Sequence, residues 1–226
     1  MKRKVFTIIK ANSERVPGKN FLELGGKPLW RWLVDELSEF DVYINTDSDD
    51  LIGILSKFDH VTPIKRASSH IEWEERSSEI GSPVMDMVKG FCESYLGDSE
   101  SFALVHVTSP FLKAGTLNVA FDGFQPKINH SLHSVRKVQD FLMEVSGDGL
   151  NPLNFSFDHV SRTQDLAPVY QSLGAFFIMN SSTLRTKKYQ RLASSSLPVP
   201  LSLIESVEID TPDDFSFAQL LSSNIN

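Results

Sequence analysis

Short apolar runs and longer stretches of helical spacing alternate along the first half of the chain. Val5-Phe6-Thr7-Ile8-Ile9 predicts a first strand. Gly25-Gly26-Lys27-Pro28 marks a turn, and Pro28 suits the first turn of a helix through about Glu39. Leu29, Trp30, Trp32, Leu33 and Leu37 recur there at helical spacing. Asp41 to Asn45 predicts a second strand, and Thr46-Asp47-Ser48-Asp49-Asp50 is an acidic N-cap cluster for a helix through Lys57. His60 to Lys65 predicts a third strand. A less regular stretch follows, then a helix from about Pro83 to Tyr95. Ser101 to Val107, nearly all apolar, is a fourth strand of the kind buried on both faces of a parallel sheet. Strands alternating with helices imply right-handed βαβ units and an α/β fold: a three-layer α/β/α sandwich with a mostly parallel sheet.

The rhythm then changes. Residues 129–172 hold short alternating runs such as Ser131 to Val138, separated by the turn-rich Gly147-Asp148-Gly149 and Asn151-Pro152. They predict an inserted antiparallel excursion rather than another βαβ unit. Gly174 to Met179 returns to a buried-strand pattern, Ser206 to Ile209 predicts another strand, and a helix after Pro212-Asp213-Asp214 closes the chain. With no internal repeat or low-complexity segment, residues 1–226 suit one large domain.

Composition narrows the function classes. The apolar fraction of 41 % and charged fraction of 23 % are those of a soluble protein with a real core. A net charge of −7 argues against a nucleic-acid binder that works by bulk electrostatics. Cys92 is the single cysteine, which excludes disulfide frameworks and Cys-based zinc sites and leaves it as a small buried hydrophobe. The basic start, Met1-Lys2-Arg3-Lys4, leads into an apolar run too short for a signal peptide or membrane span, so a cytoplasmic location is expected and Asn180-Ser181-Ser182 carries little weight as a sequon.

Within this acidic chain one loop is basic. Lys10, Arg15 and Lys19 fall within the segment Lys10–Asn20, directly after the first strand. Such a loop presents cations and backbone N–H groups to a phosphate, although a solvated basic loop would read the same way. Pro17 stiffens it and Gly18 permits close backbone approach, but Ser13 stands where a Walker A loop needs glycine. Ligands of open α/β sheets bind at the carboxyl ends of strands. Asn45–Asp47, Arg66, Thr108-Ser109-Pro110 and Asp210 all fall at such ends. Cations and carboxylates meeting at one edge suit a nucleoside triphosphate with Mg²⁺. Glu208 and Asp210, two apart, would share one face of a strand and approach a cation together; alternatively Asp210 or Thr211 caps the last helix. Arg162-Thr163-Gln164-Asp165 is a second polar cluster, fit to grip a substrate or to be solvated. His130 and His133, three apart on a strand, face opposite ways and make no metal pair.

Taken in order, these segments resemble the acylneuraminate cytidylyltransferase family. The likeness rests on Lys10-Ala11-Asn12-Ser13-Glu14-Arg15-Val16-Pro17-Gly18-Lys19-Asn20, Leu24-Gly25-Gly26-Lys27-Pro28-Leu29 and Asn45-Thr46-Asp47-Ser48. It continues through Leu104-Val105-His106-Val107-Thr108-Ser109-Pro110, Arg162 to Tyr170 with Gly174 to Ile178, and Glu208-Ile209-Asp210-Thr211-Pro212. The resemblance implies transfer of CMP from CTP to the anomeric 2-hydroxyl of a sugar acid, with Mg²⁺ and release of pyrophosphate. It makes Lys19, Arg15 and Asp210 the candidate catalytic groups, with Glu208 and Asp210 as metal ligands. Lys10, Ser13, Asn20, Asp47, Arg66, His106, Thr108, Ser109, Gln164 and Tyr170 become the candidate substrate-binding groups, with Gln164 and Tyr170 on the sugar side. It also implies a homodimer, with residues 129–172 as the dimerisation region. The chain departs from the family pattern at Lys10, Ala11, Asn12, Glu14, His106, Leu112 and Glu208. The changes at 106 and 112 suggest a nonulosonic or related acid other than sialic acid. A sugar-1-phosphate nucleotidyltransferase, a nucleotide-sugar glycosyltransferase and a non-catalytic nucleotide-binding descendant are the competing readings.

Overall fold

Strand β1 (Lys4–Ile9) shows why a three-layered sheet forms: Val5 and Ile9 are buried on one side of it and Phe6 on the other. The computed structural model describes residues 2–13, 15–75, 83–159 and 161–224. After β1 come a small hairpin of β2 (Glu23–Leu24) and β3 (Lys27–Pro28), then α1 (Leu29–Glu36), β4 (Asp41–Thr46), α2 (Asp49–Leu55) and β5 (Val61–Lys65). Next are α3 (Ser68–Glu75), α4 (Val84–Tyr95), β6 (Ser101–Val105) and α5 (Ala114–Gly123). The second half holds β7 (Ser131–Val138), the hairpin β8 (Met143–Ser146) and β9 (Gly149–Pro152), β10 (Val169–Asn180), α6 (Ser181–Thr186), β11 (Leu197–Pro200) and α7 (Pro212–Ser222).

The main sheet has seven strands in the order β11-β7-β10-β6-β1-β4-β5. Its pairs are parallel except where β10 runs antiparallel to β6 and β7, so the sheet is mostly parallel as the sequence implies. Leu33, Leu51 and Leu117, from α1, α2 and α5, pack with Val5, Ile44 and Phe176 on one face. On the other, Met87, Val88, Phe91 and Cys92 of α4 and Leu184 of α6 cover Phe6, Leu104 and Phe177. Cys92 is fully buried and its thiol is pushed up to about 12 by desolvation, as befits an inert core group. A third cluster seats α7 on the hairpin through Leu24, Leu29, Phe111, Ile209 and Ala218.

Several expectations needed correction. Residues Ser206–Ile209 form no strand: the Ile209 N–H donates to the Thr108 carbonyl at 2.9 Å, but no ladder continues from that bond. The last strand is instead β11, whose Pro198 and Pro200 are tolerated because it is an edge strand, parallel to β7. Helix α3 arises in the stretch read as irregular, since its polar residues carry no apolar stripe. Helix α5 was also unforeseen: it buries Leu117 and Ala120 but exposes Val119 between them. Helix α1 begins after Pro28, which is its N-cap, and ends at Glu36 rather than Glu39. Strand β6 stops at Val105, and within 129–172 both β7 and the start of β10 lie in the main sheet.

Phe6 is almost wholly buried and stacks on Phe91 at 4.7 Å. Replacing Phe6 with Ala should lower the unfolding free energy by about 3–5 kcal/mol, read from the urea midpoint. A change below about 1 kcal/mol would mean that this face of the sheet repacks without a cavity.

Candidate active site

The loop that follows β1 is tied at both ends. The Asn20 amide donates to the Lys10 carbonyl at 2.9 Å, and the Ala11 N–H donates to Asp47 Oδ1 at 2.7 Å. Its far end turns tightly, with the Lys19 N–H on the Val16 carbonyl at 3.0 Å and Gly18 at φ 64°, a conformation that favours glycine. The turn drives Lys19 inward: 7 % exposed, its ammonium donates to the Ile209 carbonyl and lies 3.5 Å from Asp210 Oδ1. Burial lowers the Lys19 pKa, and the Asp210 charge opposes that shift. Arg15, exposed, donates to the same Asp210 oxygen at 2.8 Å.

Asp210 is held by what comes after it. Thr211 caps α7 in a capping box with Asp214, whose carboxylate also accepts the N–H groups of Asp210 at 3.0 Å and Thr211 at 2.8 Å. Burial alone would push the Asp214 carboxyl up, but these donors hold it below its ordinary value. Thr211, not Asp210, is therefore the cap, which leaves the Asp210 carboxylate free for the cations. Glu208 turns the other way and accepts the Gly174 N–H at 2.6 Å. Desolvation raises the Glu208 pKa, and the nearby Asp210 charge adds to the rise.

Gly174 is where this contact becomes possible. A Cβ there would lie 2.8 Å from Glu208 Oε1 and 3.1 Å from His106 Nδ1, so only a bare backbone lets the two side chains close on it. Because β10 pairs with β6 only from Phe176 onward, its first residues run past the end of β6 beside β7. This overhang, the segment before α7 and α7 itself enclose a cavity of about 260 Å³, lined by Arg136, Gln171, Glu208, Asp210, Asp214 and Phe217 among others. Glu208 and Asp210 thus reach one cavity although no strand aligns them. His106, packed against Gly174 beside Glu208, has an imidazole lowered to about 4, chiefly by burial and then by the Arg191 charge.

Most predicted residues stand along this edge. Arg66 is buried and its N–H donates to the Thr46 carbonyl at 2.9 Å; Ser109 is buried and its N–H donates to the His106 carbonyl at 3.2 Å. Thr108 meets Ile209 through its carbonyl, and Ser13 and Lys10 are half-buried in the loop. Gln164 and Tyr170 lie elsewhere. Gln164 is exposed in a single 3-10 turn, and Tyr170 is exposed on the side of β10 opposite Gln171; neither lines the cavity. Arg162 pairs locally with Asp165 at 2.7 Å. Leu112 packs in the core, His130 is buried before β7, and the departure at Glu14 lies outside the described residues. The cavity pair Arg136 and Gln171, cross-strand neighbours bonded at 3.0 Å, was missed. Its signal was Arg136 within the alternating run of Ser131 to Val138. Among the described residues no group of three or more His, Cys, Asp or Glu side chains is arranged for a metal, and no helix is long and apolar enough to cross a membrane.

A cytidylyltransferase family model matches residues 7–140, more than half of the chain, and the chain belongs to that family. It is 29 % identical over 222 residues to an N-acylneuraminate cytidylyltransferase of Streptococcus agalactiae serotype III (strain NEM316), covering 91 % of this chain and 50 % of that protein. The chain thus spans about half the length of that relative. A pseudaminic acid cytidylyltransferase of Campylobacter jejuni subsp. jejuni serotype O:2 (strain ATCC 700819 / NCTC 11168) is 23 % identical over 220 residues, covering 94 % of this chain and 92 % of the relative. The fold is that of CMP:2-keto-3-deoxy-manno-octonic acid synthetase, solved with CTP, at a TM-score of 0.66, 13 % identity and 99 % coverage of both chains.

In the nucleotide-free protein, His106 should titrate near pH 4 by NMR rather than at the ordinary 6.5. Its folded pKa lies below the unfolded one, so its contribution to stability is lost as pH falls from 6.5 toward about 4. His133, also lowered by burial, acts with the same sign, so His106→Gln should flatten part of the pH dependence. A midpoint near the ordinary value would contradict a buried imidazole.

Proposed function

We propose that this chain transfers CMP from CTP to the anomeric 2-hydroxyl of a nonulosonic or related 2-keto-3-deoxy sugar acid and releases pyrophosphate. The observation that carries this reading is the meeting of Arg15 and Lys19 with Asp210, beside Glu208, at the carboxyl edge of the sheet. Without substrate, the Asp210 carboxylate pairs with both cations and leaves one positive charge in excess. As a triphosphate enters, Arg15 and Lys19 exchange that carboxylate for phosphate oxygens, the stronger acceptors of charge-assisted bonds. Asp210 is then released toward Glu208.

Two carboxylates lining one cavity, Glu208 raised by burial and then by the charge of Asp210, form a hard oxygen set that fits Mg²⁺. Glu208 and Asp210 would hold it; when bound it neutralises phosphate charge and polarises the α-phosphate. The remaining work belongs to this chain's residues. The acceptor hydroxyl gives up its proton to solvent as its oxygen bonds the α-phosphorus and the bond to pyrophosphate breaks, a reaction governed by alignment and charge neutralisation. Lys19, immobilised by burial, supplies a fixed positive charge where negative charge develops. Asn20 Oδ1, Asn45 Oδ1 and Ser109 Oγ are buried without a hydrogen-bond partner in the described structure, as suits acceptors for donors of a nucleotide. Use of CTP suits a cytoplasmic protein.

Incubation with each nucleoside triphosphate, Mg²⁺ and a panel of 2-keto-3-deoxy acids should release pyrophosphate with CTP when an acid is present. Asp210→Asn should slow turnover by about a hundredfold or more while the far-UV circular dichroism of the folded protein is kept, although the melting temperature falls because Lys19 loses its counter-charge. Release without an acid, or with another nucleotide alone, would sink the proposal.

The same reading includes a homodimer formed through the β8–β9 hairpin, where Val145 is 80 % exposed and Leu150, Leu153 and Phe157 are exposed beside it. Light scattering should give twice the 25.4 kDa chain mass, and Val145→Asp with Leu150→Asp should return it to the single mass. An active preparation that runs as a monomer would remove the dimer from the reading.

A further inference from the structure

Arg191, His133 and His106 gather on the ring of Phe177, apart from the basic loop after β1. On β10, Phe177 pairs with Leu104 of β6 and His133 of β7. The His133 ring stacks on Phe177 at 5.4 Å with 6° between the planes, and the Arg191 guanidinium covers the same ring at 4.9 Å. His106, two residues beyond Leu104, reaches it at 6.3 Å. Among the described residues no carboxylate pairs with Arg191; its partner is the aromatic ring.

The chain is held firmly in this arrangement. Lys188 at φ 52° and Tyr189 at φ 57° are both left-handed, a conformation costing a non-glycine residue about 1–3 kcal/mol. Three bonds maintain it: the Tyr189 N–H to the Leu184 carbonyl at 2.8 Å, His130 Nε2 to the Gln190 carbonyl at 2.6 Å, and Ser131 Oγ to the Arg191 carbonyl at 2.8 Å. The strained turn carries Arg191 back over the sheet, and β7 pins it there. The Arg191 charge opposes protonation of His106 while that of Asp210 favours it, which relates the cluster to the carboxylate end of the cavity.

We propose that Arg191, with His133 and His106 beside it, forms a subsite that grips a planar oxygen group of the sugar-acid acceptor, either its carboxylate or an N-acyl carbonyl. This rests on the cytidylyl-transfer reading. A guanidinium stacked on a ring keeps its N–H fork in one plane, the geometry that pairs two oxygens at once. His106 adds one donor and one acceptor, and His133, whose Nε2 already meets Ser172 Oγ at 2.9 Å, adds its Nδ1. The side chain at 191 would thereby select among acids that the phosphate and metal groups treat alike.

The test separates acceptor binding from turnover. Arg191→Met keeps a long side chain over Phe177 but removes the fork, whereas Arg191→Lys returns the charge alone. The panel is N-acetylneuraminate, pseudaminate, N,N′-diacetyllegionaminate and 2-keto-3-deoxy-manno-octonate, with their C1 amides and, for the three N-acylated acids, the de-N-acyl forms. Calorimetry is run with the non-reacting α,β-methylene analogue of CTP, and KM values with CTP itself. Arg191→Met should raise the acceptor dissociation constant and KM about tenfold to a hundredfold, leaving the KM for CTP and the melting temperature unchanged. Arg191→Lys should recover part of the loss. If the carboxylate is the bound group, the wild type discriminates against C1 amides and Arg191→Met does not; if the acyl carbonyl is bound, the de-N-acyl forms show that pattern. An Arg191→Met protein that binds the panel like the wild type, or a wild type that binds none of it, overturns the subsite. Acid binding without pyrophosphate release from CTP overturns the cytidylyl-transfer reading instead, and calorimetry still decides the subsite.

Discussion

One carboxylate, that of Asp210, is the constraint on which the site is built. A buried ammonium needs an opposite charge or strong acceptors, because removing such a partner costs about 3–5 kcal/mol. Lys19 finds the Ile209 carbonyl and Asp210, and Arg15 joins them, so the loop after β1 is tied to residues 190 to 195 positions further along the chain. The capping box of α7 then sets the backbone at Asp210, and the seat of α7 on the β2–β3 hairpin sets α7. Helix cap, buried lysine and candidate metal ligand form one mechanical unit.

A second constraint is the length of β10. With twelve residues beside the five of β6, it must leave its neighbour behind, and β7 alone accompanies it past the edge. That overhang walls the cavity and brings Gly174 against Glu208 and His106. The same strand carries Phe177, around which Arg191 and His133 gather. One strand thus borders both the candidate metal end and the Arg191 cluster.

Much of this was legible beforehand where local chemistry decides. The strands β1, β4, β5 and β6 are short apolar runs bounded by polar turns, and no helix competes for such runs. The basic loop and the Glu208–Asp210 pair were visible as chemistry. The pair reached one cavity by another route than a shared strand face, because a single bond to Thr108 and the Asp210 N–H bond to the Asp214 carboxylate replaced the ladder. Polar α3 gave no periodic signal, and proline-containing β11 reads as a loop until an edge is available. Leu112, which stands where the family pattern has arginine, proved to be a core residue, its place set by packing beneath the loop after β6.

The sequence by itself determined the layered α/β class, the basic loop after the first strand and the family motifs, because strand runs, turn residues and ordered charges act over a few neighbouring residues. The tertiary structure decided which distant groups meet. The Arg136–Gln171 pair depends on the register between β7 and β10, Glu208 on a bare backbone at Gly174, and Arg191 on a strained turn fastened to another strand. Register, close approach and strain arise from long-range contacts, and those exist only once the chain has closed on itself.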